Sequence, residues 1–294
     1  MAIDKFIRHS RRVETDDLDW NAARRAGLTG DEPFVLRFFA DVEGQTVFYF
    51  REILNTHAAR DPEILAFMTT WNYEEFFHAE SLGRLLEVCG HPGGPARRTE
   101  VREGATLMAR IENLAQLGLS RLAPGAFLAL YTTWGASQEL LTSRCYERIQ
   151  ATTANPVLHE LAGRIAKQER RHFAWYFKAA REQLARSRGA QKLVRFVFER
   201  FWSPVGSGVK TVDEVYDLVD AVFPGRVIDQ TMTDIQDRIS TLPGMAGADG
   251  PARFAARCWQ HRRQRAASAV VAGGARRGGA AADGPRREET SRAA

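Results

Sequence analysis

Trp71-Asn72-Tyr73-Glu74-Glu75-Phe76-Phe77-His78 is the stretch on which the reading of this chain turns. Glu75 and His78 stand three residues apart, and on a helix that spacing sets one side chain above the other on a single face. The same spacing returns at Glu169-Arg170-Arg171-His172. Glu43 precedes the first pair and Glu139 lies between the two, so the chain reads Glu, ExxH, Glu, ExxH at intervals of 32, 64 and 30 residues. One carboxylate from each of two helices, with an ExxH from each of two others, is how carboxylate-rich four-helix bundles hold a pair of metal ions.

The faces these residues occupy support that reading. Glu43 is in helical register with Leu36, Phe39, Ala40, Val47 and Phe50, and Glu75 with Met68, Trp71, Ala79 and Leu82. Glu139 shares its stripe with Leu128, Thr132, Gly135 and Thr142, and Glu169 with Leu158, Ala162, Ile165 and Tyr176. Four carboxylates on apolar stripes would converge in a core, where an ionised carboxylate is costly unless it is paired or binds a cation. Two divalent cations remove that repulsion, and oxygen and imidazole donors suit iron or manganese. Glu52 competes with Glu43 for the first ligand position, on a more mixed face. Glu74 and Glu80 read as solvent-facing or supporting carboxylates, and His57, His91 and His159 as surface or capping groups near helix ends.

Around these residues the apolar period is helical and no run alternates as a strand does, which predicts an all-α body. Long helices are expected at about 33–57, 61–89, 99–118, 124–152 and 156–187, and shorter ones near 190–202, 211–222 and 226–240. Asp31 and Asp61 mark helix starts, and Thr211 with Glu214 forms a capping-box pattern. Residues 1–30 read as an amino-terminal extension, 31–245 as the ferritin-like helical domain with additional carboxy-terminal helices, and 246–294 as a disordered tail rich in Ala, Gly and Arg.

Charge follows the same division. Residues 251–294 carry ten Arg against three acids, so the net charge of +5 leaves −2 for the first 250 residues. The basicity therefore belongs to the tail and does not point to nucleic acid. Cys89, Cys145 and Cys258 are odd in number and lack a CxxC spacing, which argues for reduced thiols. No stretch approaches the ~20 apolar residues of a membrane span, and the first thirty lack a signal peptide's apolar core, so a cytoplasmic protein is expected.

With these residues in view, the chain resembles the soluble acyl-acyl-carrier-protein desaturases. Trp71 through His78 is similar to their Trp-containing ExxH segment. Tyr131-Thr132-Thr133-Trp134-Gly135-Ala136-Ser137-Gln138-Glu139-Leu140-Leu141-Thr142 is similar to their third ligand helix. The stretch from Thr211 to Val219 and Ser240-Thr241-Leu242-Pro243 resembles their closing helices, so the likeness covers about 33–245. One departure is Gln168, where plant members carry an Asp that supports a ligand histidine.

The resemblance implies an O2-dependent enzyme of fatty acid biosynthesis that introduces a double bond into an acyl chain. Its cofactor would be two iron ions, with a manganese–iron pair as the variant, held by Glu43, Glu75, His78, Glu139, Glu169 and His172. Thr142 would stand beside the oxygen-binding side as a catalytic proton or hydrogen-bond group. The implied partners are an acyl carrier protein, a ferredoxin-type electron donor and a second copy of the chain. Arg144, Arg164, Lys167, Arg170, Arg171, Lys178 and Arg181 would supply a basic docking face for the acidic carrier. Phe34, Phe38, Phe48, Phe76, Phe77, Trp134 and Phe173 are candidates to line an acyl channel. Competing readings are a di-iron hydroxylase or N-oxygenase of a small molecule, the latter disfavoured by Ile165 where a third histidine is typical, and a non-enzymatic iron-binding protein.

Overall fold

Caps written in the sequence start several of the helices in the computed structural model, which describes residues 3–93 and 118–279. The helices are α1 (Ile3–His9), α2 (Trp20–Ala26), α3 (Glu32–Gly44), α4 (Thr46–Ile53), α5 (Pro62–Val88), α6 (Pro124–Thr152), α7 (Pro156–Ala185), α8 (Arg188–Phe201), α9 (Val212–Val222), α10 (Val227–Ser240) and α11 (Gly250–Gly279). Among the described residues there is no strand. No helix among them is long and apolar enough to cross a membrane.

Asp61 accepts from the backbone N–H groups of Glu63 and Ile64 with Pro62 in the first turn, which starts α5 where expected. Asn155 does the same for α7, accepting from Val157 and Leu158 ahead of Pro156. Thr211 and Glu214 form the expected reciprocal capping box at α9. Asp31 makes no side-chain cap bond, although Pro33 still stands in the first turn of α3.

The long helices form a bundle. A three-residue link folds α6 and α7 into an antiparallel hairpin, α3 and α4 lie along α5, and α5 also meets α7. Aromatic packing fills the space between α5 and α7: the Phe67 and Trp175 rings stack 3.6 Å apart, with Tyr176 edge-on to Phe67 at 4.8 Å. Phe67, Trp175 and Tyr176 are buried, and burial of each such side chain contributes roughly 1.5–3 kcal/mol. Gly135 of α6 makes the close approach of α7 possible, since a Cβ there would lie 2.5 Å from the Tyr176 ring.

Three expectations need correction. The helix expected over 33–57 is broken at Gln45, because Gly44 weakens the helix and the Thr46 hydroxyl donates to the Glu43 carbonyl at 2.7 Å. Residues 1–30 contain α1 and α2. Asn155 ties the second to the bundle, its Nδ2 donating to the Ala23 and Gly27 carbonyls at 3.1 and 2.8 Å. The expected disordered tail from 246 is helical over Gly250–Gly279, since Ala and Arg are strong helix formers. Its start belongs to the first of two compact units, Met1–Ala255, where the buried Phe254 ring meets Trp202 and Tyr216, each at 5.8 Å. The helix expected over 99–118 lies outside the described residues save its last position.

Candidate metal centre

Glu43 comes from the end of α3, Glu75 and His78 from the middle of α5, Glu139 from α6, and Glu169 and His172 from α7. All six are buried and brought together. They form two overlapping groups whose ligand atoms lie within 4.8 Å of one another: Glu43, Glu75, His78 and Glu169, and Glu75, Glu139, Glu169 and His172. Glu75 and Glu169 belong to both groups, while each group has one further glutamate and one histidine of its own.

The imidazole orientations agree with this arrangement. His78 Nδ1 faces inward, 3.1 Å from Glu169 Oε1 and 3.9 Å from both Glu43 Oε2 and Glu75 Oε1. His172 Nδ1 lies 3.1 Å from Glu75 Oε1 and 3.4 Å from Glu139 Oε2 and Glu169 Oε2. Both Nε2 atoms point away from the centre. His78 Nε2 meets Gln168 Oε1 at 2.6 Å, and His172 Nε2 meets Glu74 Oε2 at 2.8 Å. The residue just before each ExxH thus supports the histidine of the other. Such outer partners fix the ring and the tautomer of a metal-ligating histidine.

Outer contacts also hold the two unshared glutamates. Trp71 Nε1 donates to Glu139 Oε1 at 3.1 Å, and the Tyr146 hydroxyl donates to Glu43 Oε1. Inward, Glu43 Oε2, Glu75 Oε1, His78 Nδ1, both oxygens of Glu169 and His172 Nδ1 are buried and make no hydrogen bond. Orphaned buried polar atoms are costly, and these six converge on one place. A pair of divalent cations satisfies them together, so the residues present fit the two metals expected from sequence.

Without cations, burial and the neighbouring charges shift the titration of every member of the cluster. Burial, reinforced by neighbouring carboxylates, pushes Glu43, Glu75 and Glu139 up. Glu169 is also pushed up by burial, but His172 and His78 outweigh it and hold this carboxyl below the ordinary range. Burial lowers His78, yet Glu169, Glu75 and Glu43 bring it up to about 9, and His172 is raised by its four glutamate neighbours. Burial raises Glu74, and His172, Arg171 and the Arg11 N–H reverse the effect.

Thr142 lies one turn after Glu139 and is buried. Glu139 is buried as well, as are the other five residues of the cluster. Glu52 sits on α4, half-buried and outside both donor groups. His159 Nδ1 lies 2.9 Å from the Gln150 carbonyl, a local role. Glu74 is fully buried, which settles its sequence reading as a supporting group rather than a solvent-facing one.

The parts missed from sequence are Tyr146 and the amino-terminal segment. Tyr146 had a signal: it stands four residues after Thr142 and seven after Glu139, on the same face. The expected docking cations are largely engaged within the chain. Arg144 pairs with Glu147 and Asp234, Arg164 with Asp17 and Glu160, Arg170 with Glu147, Arg171 with Glu74 and Lys178 with Glu182. Of the aromatic channel candidates, Phe76 is exposed and Phe173 packs on Phe177 beneath Arg238. None of the three cysteines is in a disulfide among the described residues. No family model, curated protein or solved structure matches the chain.

Proposed function

We propose that the protein is an O2-dependent di-iron oxidoreductase of the acyl-acyl-carrier-protein desaturase kind, removing two hydrogens from adjacent carbons of an acyl chain. The observation that carries this reading is the pair of four-residue donor groups sharing Glu75 and Glu169, with their orphaned atoms turned inward. Four carboxylates and two imidazoles form the donor set iron favours among hard oxygen and nitrogen sites, with manganese as the alternative. Bound iron would supply the electron transfer needed to reduce O2.

The chain's own residues do the rest. Glu74 and Gln168 orient the two imidazoles, while Trp71 and Tyr146 hold the unshared glutamates. Buried rings around α5 and α7 keep water from the centre. Thr142, buried one turn after Glu139, would by resemblance pass a proton or hold oxygen by a hydrogen bond. The balance is one O2, two electrons and two protons taken from the substrate, and two further electrons with two protons from outside, giving a carbon–carbon double bond and two waters. A ferredoxin-type donor fits the external electrons, and an acyl carrier protein and a homodimer complete the proposal by resemblance.

One observation favours a second reading, a di-iron hydroxylase of a freely diffusing small molecule. Five of the seven cations expected to dock an acidic carrier are in ion pairs within the chain. The deciding experiment loads the protein with iron, reduces it, and exposes it to O2 with a C16 or C18 acyl chain on carrier protein. A dehydrogenated product supports the desaturase; two irons per chain with an oxygenated product, or with turnover of free small molecules only, supports the second reading. A chain that takes up no iron would sink both.

A further inference from the structure

The most unexpected neighbour of the metal centre is a peptide group. Arg11 N–H donates to Glu74 Oε1 at 3.0 Å, and the Arg11 carbonyl accepts from Gln168 Nε2 at 3.0 Å. Glu74 and Gln168 are the two residues that meet the outward nitrogens of His172 and His78. A single residue of the amino-terminal segment therefore touches the outer support of both ligand histidines. The Arg11 side chain itself is exposed and takes no part.

The chemistry of each arm has a direction. An amide can present either its oxygen or its nitrogen to a neighbour, and the Arg11 carbonyl accepts only from the nitrogen end of Gln168. That leaves Oε1 for His78, so His78 must offer a proton at Nε2 and turn Nδ1 to the centre. On the other arm, the Arg11 N–H and the Arg171 guanidinium, 2.6 Å away, hold Glu74 Oε1 and leave Oε2 for His172. An ionised carboxylate accepts only, so His172 is also held with its proton on Nε2.

The segment is docked firmly enough to do this. Phe6 is fully buried, 4.9 Å from the Phe67 ring and 6.0 Å from the His172 ring. Arg171 also donates to the His9 carbonyl, and Arg164 grips Asp17 with two bonds of 2.6 and 2.7 Å. We propose that the amino-terminal segment, through the N–H and C=O of Arg11, is a positioning element of the metal centre that sets both ligand histidines with Nδ1 toward the cations. This rests on the two-metal reading of the site, not on which substrate is oxidised.

The test uses Co2+ as the probe, because its visible absorption reports ligand geometry as well as occupancy. Four full-length or near-full-length proteins are titrated: the unaltered chain, a chain lacking residues 1–12, Arg11→Pro and Arg11→Ala. Arg11→Pro deletes only the donor to Glu74 and keeps the carbonyl, whereas Arg11→Ala keeps both backbone groups. Loss of the truncated segment is expected to weaken both Co2+ sites by about 10–100-fold and to alter the absorption envelope. Arg11→Pro is expected to weaken one of the two sites and spare the other, and Arg11→Ala to match the unaltered chain.

Unchanged affinity and spectrum in a truncated chain that keeps its helical content would overturn the proposal. So would equal damage from Arg11→Ala and Arg11→Pro. If truncation prevents folding, the comparison of the two Arg11 substitutions decides alone. An unaltered chain that binds no Co2+ would bring down the metal centre itself, a result distinguishable from two sites that ignore the segment.

Discussion

Replacing Glu43 by glutamine should leave the metal-free protein almost as stable as before while removing half of what metal adds. Burial raises the Glu43 carboxyl well above its ordinary range, so the core disfavours its charged form and glutamine, nearly its shape, removes no favoured charge. The amide oxygen still accepts from Tyr146, whose bond to Glu43 Oε1 survives the change. A metal-free stability change within about 1 kcal/mol is expected. Metal behaves differently, because Glu43 belongs to only one of the two donor groups. With each cation at 100 times its dissociation constant, each site adds about 2.7 kcal/mol. At ~2–4 °C per kcal/mol for a body of this size, two cations raise Tm by roughly 10–20 °C and one by about half that. Thermal unfolding followed by circular dichroism, with and without Mn2+ to avoid oxidation, gives all four numbers. Equal Mn2+-induced shifts in the two proteins would falsify the assignment of Glu43. A metal-free loss as large as the metal-bound one would refute the argument that burial disfavours its charged form.

Metal binding should release protons, because the metal-free His78 holds a proton up to about 9 and its glutamate neighbours raise His172 as well. Affinity for Zn2+ should therefore fall as pH drops, and calorimetry in buffers of different ionisation enthalpy should show proton release; proton uptake would contradict the cluster's charge state. The raised His78 value also stabilises the metal-free fold below the ordinary histidine value of 6.5, and this contribution is lost as pH rises through about 9, so metal-free and metal-bound stability should run in opposite directions across that window. Away from the centre, Lys210 Nζ lies 2.7 Å from Asp41 Oδ2, with both side chains buried. Lys210→Met should cost about 3–5 kcal/mol in denaturant unfolding, with much of it recovered by adding Asp41→Leu, and a loss of under 1 kcal/mol would mean the pair is not shielded as drawn.

The six ligands were legible because each obeys a local rule: a carboxylate or imidazole on an apolar stripe, at a spacing a helix turns into a shared face. Helices α5, α6 and α7 were legible for a related reason, since Asp61-Pro62 and Asn155-Pro156 combine a cap with a residue suited to the first turn. The break at Gln45 was not, because it depends on whether the Thr46 hydroxyl takes the Glu43 carbonyl, a choice no periodicity records. Nor was the role of residues 3–19. Their contribution to the centre runs through a main-chain N–H and C=O, which carry no signature in the amino-acid type. The helix Gly250–Gly279 shows the converse: its composition promised too little burial for a fold, while its Ala and Arg content favours a helix without needing any.

The outer supports of the two histidines match in position but not in charge. His172 leans on a carboxylate, Glu74, whereas His78 leans on the neutral amide of Gln168. A carboxylate draws the Nε2 proton toward itself more strongly, and the inner nitrogen of that ring becomes the better electron donor. Two cations seated among near-identical ligands would therefore differ in reduction potential, the one beside His172 being the easier to oxidise. If two redox metals bind as proposed, the repeated motif would thus build an electronically lopsided pair, its two halves changing oxidation state in sequence rather than together.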